Sequence, residues 1–398
     1  MPDEPFSKYY FEALLEGIAA LDKELPAISR AGEDVADRLV AGGELFIASV
    51  RPDFVSEGMV RSGGLMLLRQ YGSPADLSEK DTVIVGWSNT TPDLDLKLVR
   101  ELSGTGARVV GIGPPPPEEL ASDLLGHTHL LLHSSLPLPT AVTAPFGGEC
   151  YPLVSLVNLL LLWSLTGEIV AALTRRGHMP AMYQSVLVPG ARERNARCSG
   201  SRFHRELAVP PVPAGQLGRD FLAGISGIFR SLVEGEVDAI DEVAQVCASV
   251  RSEGNAIHGG LISHFPLFQA GAPGDPGHMQ RLEPLVGETP SAEELEFKLK
   301  RGDLFFFLGY YRRPTAAYRL ARHAGALIVE VIAGAQEREE GDLKPDYRIR
   351  PRWPFGDSLV SVPGYDVPIL PSSGIVQSAI YWAVVGSIRA QCPVGDQR

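Results

Sequence analysis

The chain has 398 residues, of which 44% are hydrophobic and 21% charged, a balance typical of a soluble α/β protein with two substantial cores. A formal net charge of −12 argues against nucleic acid as the main partner, because phosphate backbones select basic surfaces. The four cysteines lie far apart and the acidic N-terminus lacks the plan of a signal peptide. Together these features favour a reducing, cytoplasmic compartment over a disulfide framework or a zinc site.

Apolar spacing and turn residues predict alternating helices and strands in the first half of the chain. The predicted helices cover residues 8–25, 32–41, 59–69, 93–102 and 154–173. The predicted strands cover residues 45–50, 82–85, 108–113 and 129–132. Such alternation indicates a doubly wound parallel sheet, which binds ligands beyond the carboxyl ends of its strands. The apolar run 153–165 is too short for a typical membrane span, so we expect a buried helix and no membrane partner.

The two halves of the sequence repeat one pattern. Five residues recur at a constant offset of 219, namely Pro152, Val157, Trp163, Gly167 and Ile169 as Pro371, Val376, Trp382, Gly386 and Ile388. Further upstream the offset is 211 around the first strand and 222 around Asp81 and Pro92, as expected if insertions accumulate in loops. The pattern predicts a first domain at 1–206, a Pro-rich linker at 207–216 and a diverged second domain at 217–398.

A polar turn follows the second predicted strand of the first half. It reads Gly86-Trp87-Ser88-Asn89-Thr90-Thr91-Pro92. The strand and turn resemble the Ser-x-Ser-Gly-x-Thr motif of the SIS (sugar isomerase) family, although a Gly replaces the first Ser and an Asn replaces the Gly. The resemblance implies two tandem flavodoxin-like αβα domains of three layers, paired as a pseudo-dimer, and a phosphorylated sugar as ligand.

The chemistry of this turn supports an anion site independently of the resemblance. Hydroxyls and backbone N–H groups at a strand-to-helix turn face an incoming anion, and the helix dipole favours it. Ser88, Asn89, Thr90 and Thr91 are therefore the predicted ligand-binding residues of the first half. The alternative is that Ser88 and Thr91 only cap the helix that follows.

The second half keeps a different part of the family pattern. Its first loop has Gly259, Gly260, Ser263 and His264, which resemble the family's Gly-Ser-Gly-x-Ser-His loop. Glycine lets the backbone approach a ligand, and a histidine can exchange protons near neutral pH. The alternative for His264 is a purely structural role.

The corresponding place in the first half offers Ser49 and Arg51 as ligand-binding residues. Each half has thus lost one of the two motifs, which predicts a single composite site between the domains.

An aldose–ketose isomerase needs a carboxylate that moves a proton between adjacent carbons. Glu149, in the stretch before the last helix of the first half, is the first candidate, and His264 is the second catalytic candidate. The alternatives are a sugar-phosphate sensor without catalysis and a binder of a non-phosphorylated sugar. We expect no metal and no cofactor, and a homodimer is an open option. The insertions at 270–291 and 336–354 are either surface decoration or, for the second, a lid.

Overall fold

The computed structural model describes residues 4–133, 141–143, 150–262, 264–272, 274–282, 296, 298–334 and 344–391. For residues 141–143, 150–151 and 264 only the backbone is described. The predicted residues Glu149 and Ser263 lie outside the described part.

The first half contains six helices and seven strands within the described residues. The helices are α1 (Phe6–Val40), α2 (Pro52–Gly58), α3 (Pro92–Gly104), α4 (Glu118–Gly126), α5 (Val154–Arg175) and α6 (Ala191–Cys198), with a 3-10 turn at Pro74–Asp76. The strands are β1 (Leu45–Ser49), β2 (Leu68–Gln70), β3 (Thr82–Gly86), β4 (Arg108–Ile112), β5 (Leu130–Leu132), β6 (Ala141–Thr143) and β7 (Cys150–Pro152).

The second half has a similar order of elements but begins with two helices instead of one. Its described helices are α7 (Gln216–Gly235), α8 (Val237–Ser252), α9 (His264–Gln269), α10 (Thr315–Ala324) and α11 (Ser373–Gln391). Its strands are β8 (Ile257–Leu261), β9 (Gln280–Arg281), β10 (Leu304–Leu308), β11 (Leu327–Val331), β12 (Tyr347–Ile349), β13 (Ser358–Val360) and β14 (Ile369–Pro371).

Each half forms one parallel five-stranded sheet with the same topology. The strand orders are β2-β1-β3-β4-β5 and β9-β8-β10-β11-β12, and an antiparallel hairpin precedes α5 in the first half and α11 in the second. Helices pack on the sheets, and one apolar core runs through both halves. The predicted fold class, two tandem αβα units with parallel sheets, is therefore confirmed.

The duplication extends to side-chain hydrogen bonds. The Asp81 carboxylate accepts the backbone N–H of Glu44, and the Asp303 carboxylate accepts that of Ala256. The strand registers pair Leu45 with Thr82 and Ile257 with Leu304, so the offset in the first strand is 212 rather than the 211 expected from the sequence. The offset of 222 around Asp81 agrees with the structure.

Several elements differ from the sequence-based expectation. The two helices predicted at 8–25 and 32–41 form the single helix α1, which contains Pro26 and stays continuous because its apolar face is buried along its whole length. The helix predicted at 59–69 is absent: α2 starts earlier at Pro52, a favoured first helical residue, and ends at Gly58. Val60 and Gly63 then have positive φ angles of 52° and 73°, which a helix cannot contain.

The insertions of the second half contain framework strands. Residues 280–281 form β9 and residues 347–349 form β12, the two edge strands of the second sheet. The interpretation of 336–354 as a lid or as decoration is thus wrong for Tyr347–Ile349. Helix α5 is long and apolar enough to cross a membrane, and it is entirely buried inside the fold, as predicted for a core helix.

Candidate functional site

Two candidate regions lie beyond the carboxyl ends of the parallel strands, one beside the first sheet and one beside the second. We call the first the Ser88 cluster, formed by Ser49, Arg51 and the turn that follows β3. The second is the cleft between the halves, which we call the interdomain cleft. It is lined by Val60, Arg61, Ser62, Tyr183, Gln184, Ser185, Val186, Leu187, Asn195, Ile262, Tyr310 and Asp357.

The predicted ligand residues of the first half lie together in the Ser88 cluster. The Ser49 hydroxyl donates to the Gly86 carbonyl at 2.8 Å and accepts the backbone N–H of Arg51 at 3.1 Å. The Arg51 guanidinium forms an ion pair with the buried Asp53, with Nη2 2.7 Å from Oδ2. The cation of this cluster is thus already neutralised by an adjacent acid.

The polar turn of the Ser88 cluster is held by bonds within the first half. Ser88 and Thr90 share a hydrogen bond of 2.8 Å between their hydroxyls. Asn89 has a φ angle of 59°, and its amide donates to the Pro115 carbonyl at 2.7 Å. Thr91 precedes α3 without a capping hydrogen bond from its side chain, so the capping alternative fails for Thr91.

A carboxyl group lies under this turn. Asp95 is only 3% exposed, and burial raises its pKa to about 6, against hydrogen bonds from the Ser88 and Asn89 backbone and the charge of Arg51, which lower the pKa. An acid in this position competes with an anionic ligand for the same backbone N–H groups. The cavity at the cluster measures only about 10 Å³, which is about the space for one water molecule.

The second half contributes one residue to the Ser88 cluster. Phe265, on α9, lines the same small cavity as Ser49 and Ser88. His264, the residue before it, is the first residue of α9, so its backbone lies beside the cluster; its side chain is outside the described part. The predicted juxtaposition of the two halves is present here in the backbone, while the role of His264 stays a prediction.

Gly259 and Gly260 do not lie in a loop. Both are buried inside β8, and a Cβ atom on Gly260 would lie 3.0 Å from the Phe305 ring. The small size of Gly260 therefore serves the packing of the sheet, whereas a Cβ atom on Gly259 would have its nearest neighbours at 3.8 Å, an ordinary contact. The predicted contact of both residues with a ligand remains untested.

The interdomain cleft is much larger, with a volume of about 250 Å³. Tyr310 lies at its wall and corresponds, at the offset of 222, to Ser88 of the first half. The residue corresponding to Asp95 is Ala317, so this half has no carboxyl group at that position of its own turn. The Ser88 cluster at the first sheet is therefore closed, whereas the interdomain cleft at the second sheet is open.

A buried network forms the floor of the cleft and joins the halves. The Arg61 guanidinium donates to the Tyr310 hydroxyl at 2.8 Å, to Asp357 Oδ2 at 3.1 Å and to the Ser373 hydroxyl at 2.7 Å. Asp357 also accepts the backbone N–H groups of Ser372 and Ser373 at the start of α11. Burial raises the pKa of Asp357, and the Arg61 charge and these hydrogen bonds oppose that rise.

Glu57 completes this network from α2. Its Oε1 lies 3.3 Å from Arg61 Nε, and its carboxyl group is fully buried. Burial raises the pKa of Glu57 to about 7, because the Arg61 charge only partly compensates for the loss of water. Neither carboxyl oxygen has a hydrogen-bond partner among the described residues.

The other wall of the cleft comes from the segment after α5. The Asn195 side chain accepts the backbone N–H of Gln184 at 2.9 Å and donates to its carbonyl at 2.8 Å, which fixes the backbone beside the cleft. Val60 and Val186 are 60% and 50% exposed and give the rim an apolar character. No residue of this wall is among the ligand-binding residues predicted from the sequence.

The comparisons with known proteins concern the fold. No protein-family model matches the sequence, and no curated protein sequence matches it. Solved structures similar to this chain include the C-terminal domain of glucosamine-fructose-6-phosphate aminotransferase from Francisella tularensis, with 8% identity and a TM-score of 0.49 over 98% of this chain and 96% of that one.

Two other similar structures come from Salmonella typhimurium and Thermotoga maritima. The first is described as a candidate phosphosugar isomerase, with 10% identity and a TM-score of 0.48 over 92% of both chains. The second is a glucosamine-6-phosphate deaminase, with 11% identity and a TM-score of 0.40 over 94% of this chain and 92% of that one. The topology of this chain itself is two tandem αβα units, each built on a parallel five-stranded sheet with the same strand order.

Proposed function

We propose that the protein binds a sugar phosphate in the interdomain cleft. The observation that carries the proposal is the cleft itself, which is built by both halves and has a buried polar floor at the carboxyl end of the second sheet. Ligands of parallel α/β sheets bind at this edge, and ligand pockets combine apolar walls with a few fixed polar groups.

The polar groups of the cleft suit the hydroxyls of a sugar. The Tyr310 hydroxyl accepts a hydrogen bond from Arg61 and keeps its own proton for donation to a ligand. Gln184 lines the cleft, and its side chain has no hydrogen bond within the described part, so its amide is available to a ligand. Ile262 and Leu187 offer apolar contact for the carbon face of the ring.

The charges of the cleft favour a phosphate at its mouth over a phosphate on its floor. Arg61 is balanced by Asp357 and faces Glu57, so a phosphate there would meet two acids. Arg312 is exposed and lines the neighbouring extension of the cleft together with Tyr310 and Leu187. We therefore assign the sugar to the floor and the phosphate to the side of Arg312, since guanidinium groups bind phosphate oxygens well.

Binding without turnover is the form of this function that the described residues favour. Asp357 is the carboxylate that lines the cleft, and its oxygens already accept hydrogen bonds from Arg61, Ser372 and Ser373. A carboxylate held in this way is poorly placed to remove a proton from a sugar carbon. Isomerisation through Glu149 and His264 remains the alternative.

Isothermal titration with glucosamine 6-phosphate and fructose 6-phosphate tests the proposal. We expect Gln184→Ala to weaken binding about tenfold, the loss expected when hydrogen bonds to a bound ligand are removed. Tyr310→Phe removes the protein hydroxyl that is proposed to donate to the ligand and provides an independent check. Ser88→Ala, in the closed Ser88 cluster, is the matched control and should bind as the wild type does. Loss of binding in Ser88→Ala with normal binding in Gln184→Ala would overturn the proposal.

A further inference from the structure

Three arginines lie at the edge of the second sheet, one in the strand β12 and two directly after it. Ile349, Pro351 and Trp353 are buried, whereas Arg350 and Arg352, which alternate with them, are exposed. Alternation is the rule for extended chain, because successive side chains point to opposite sides. The backbone leaves the extended region at Arg352, whose φ angle is 66°, but Arg348, Arg350 and Arg352 still line one common cavity.

These arginines line a cavity of about 400 Å³, which we call the arginine pocket. It lies beyond the carboxyl ends of β11 and β12 and also contains Arg313, Glu330 and Trp353. The turn from Leu308 to Arg313 separates it from the interdomain cleft, with Tyr310 in the cleft and Arg313 in the arginine pocket. The Tyr311 ring packs against Phe355 between the two cavities, at 5.0 Å between ring centres.

The inner wall of the arginine pocket is fixed by a buried acid. Glu330, with a fully buried side chain, accepts Arg313 Nε at 2.6 Å, Arg348 Nε at 2.8 Å and the Tyr318 hydroxyl at 2.9 Å. Two guanidinium groups therefore share one carboxylate and are held in a defined orientation. Such fixed donors bind an anion without the entropy cost of ordering flexible side chains.

The outer wall carries additional positive charge. The Arg352 side chain is 42% exposed and pairs with the buried Glu236, which also accepts the backbone N–H of Arg350. The Arg350 guanidinium has no hydrogen bond or ion pair within the described part of the chain. Four of the described residues that line the pocket are thus arginines, and the described acids that pair with them are Glu236 and Glu330.

We propose that the arginine pocket is a second binding site, separate from the interdomain cleft, for the phosphate group of a small phosphorylated molecule. The guanidinium groups that line the pocket favour a phosphate over a neutral ligand, and a planar guanidinium group can bind two phosphate oxygens at once. The volume exceeds that of phosphate alone and leaves room for a small attached group. The pocket goes beyond the proposed function because none of its lining residues lines the interdomain cleft.

Isothermal titration of the full chain with inorganic pyrophosphate, at constant ionic strength, tests this site. We expect saturable binding by the wild type and at least a tenfold loss of affinity in Arg350→Gln, because a charge-assisted hydrogen bond is removed. Arg350→Lys should bind with intermediate affinity, since it keeps the charge and loses the planar fork. Arg30→Gln, which removes an exposed arginine of α1, is the control for net charge and should bind as the wild type does.

Three results would overturn the second site. They are the absence of saturable binding at millimolar pyrophosphate, equal affinities of Arg350→Gln and Arg30→Gln, and equal affinity for citrate at the same ionic strength, which would indicate a site for negative charge and not for phosphate. Gln184→Ala should leave pyrophosphate binding unchanged. This separates a failure of the arginine pocket from a failure of the interdomain cleft.

Discussion

Replacing Glu57 by Gln should make the protein more stable above neutral pH and leave it nearly unchanged at pH 5. The Glu57 carboxyl group has a pKa of about 7 in the folded protein, against an ordinary value of 4.5, because it is fully buried. The folded state therefore holds a proton on Glu57 between these pH values that the unfolded state has released. Stability falls as pH rises through this window, since the folded state binds the additional proton.

The magnitude follows from the two pKa values. A pKa of about 7 in place of 4.5 corresponds to about 3 kcal/mol of lost stability once pH exceeds 7. The carboxyl group also lies at the start of α11, where a Cβ atom on Gly374 would be 2.2 Å from Glu57 Oε1. The helix dipole favours a negative charge there by about 0.5–1 kcal/mol, so we expect Glu57→Gln to gain about 2 kcal/mol at pH 8.

The second half contains a natural precedent for this replacement. Gln269 corresponds to Glu57 at the offset of 212, and its amide bonds to Trp382 Nε1 and to Asp53. At the position equivalent to Asp53 the second half has Phe265, so Glu57 lacks the corresponding polar partner. A glutamine in the first half should therefore be tolerated by a similar backbone.

Urea denaturation of the wild type and of Glu57→Gln at pH 5, 6, 7 and 8 measures this effect. The difference between the two free energies of unfolding should grow from near zero at pH 5 to about 2 kcal/mol at pH 8. Other titrating groups, such as Asp95, cancel in this difference because they are common to both proteins. A difference that stays constant from pH 5 to pH 8 would refute the assignment of a protonated Glu57 to the folded state.

Three further predictions concern single residues. Burial raises the pKa of Asp95 to about 6, so the wild type should lose stability as pH rises from about 4 towards 6, and Asp95→Asn should remove this loss. Denaturation of both proteins at pH 4 and pH 7 measures the effect. A difference in the free energy of unfolding that is the same at both pH values would contradict this prediction. Asn195→Ala should lower the free energy of unfolding by about 1–2 kcal/mol and weaken sugar-phosphate binding, since two hydrogen bonds to the Gln184 backbone are lost. An unchanged affinity would show that Asn195 does not position the wall of the cleft for binding. Glu149→Gln should bind fructose 6-phosphate with unchanged affinity. If Glu149 is an isomerase base, the substitution should also abolish the interconversion of fructose 6-phosphate and glucose 6-phosphate, which proton NMR measures. Turnover that persists in Glu149→Gln would exclude Glu149 as the base.

The sequence predicted the framework well because the framework repeats. Trp163 and Trp382 lie in register on the last helices α5 and α11, and Asp81 and Asp303 hold the first strands of the two sheets in the same way. Apolar strands and helices with regularly spaced apolar residues can be predicted from that spacing alone. The irregular stretch from Val60 to Gly64 was instead read as helix, since its path depends on hydrogen bonds to Tyr183 that are distant in sequence.

The candidate site was harder to predict than the fold. The motif residues of the first half, Ser88 and Thr90, do lie at the expected edge of the sheet, but the buried Asp95 below them has no signature in the motif. Arg61 and Asp357 come together across 296 positions of sequence, and neither belongs to a recognisable pattern. Tyr310 lies in the wall of the larger cleft, a position that no sequence motif indicates.

Hydrogen–deuterium exchange with and without glucosamine 6-phosphate tests the central claim most directly, because it reports where a ligand binds without a mutation. The account predicts slower exchange in residues 60–66, 183–187 and 308–312, which border the interdomain cleft, and no change in residues 86–92 of the Ser88 cluster. Protection confined to residues 86–92 would contradict the assignment of sugar-phosphate binding to the interdomain cleft.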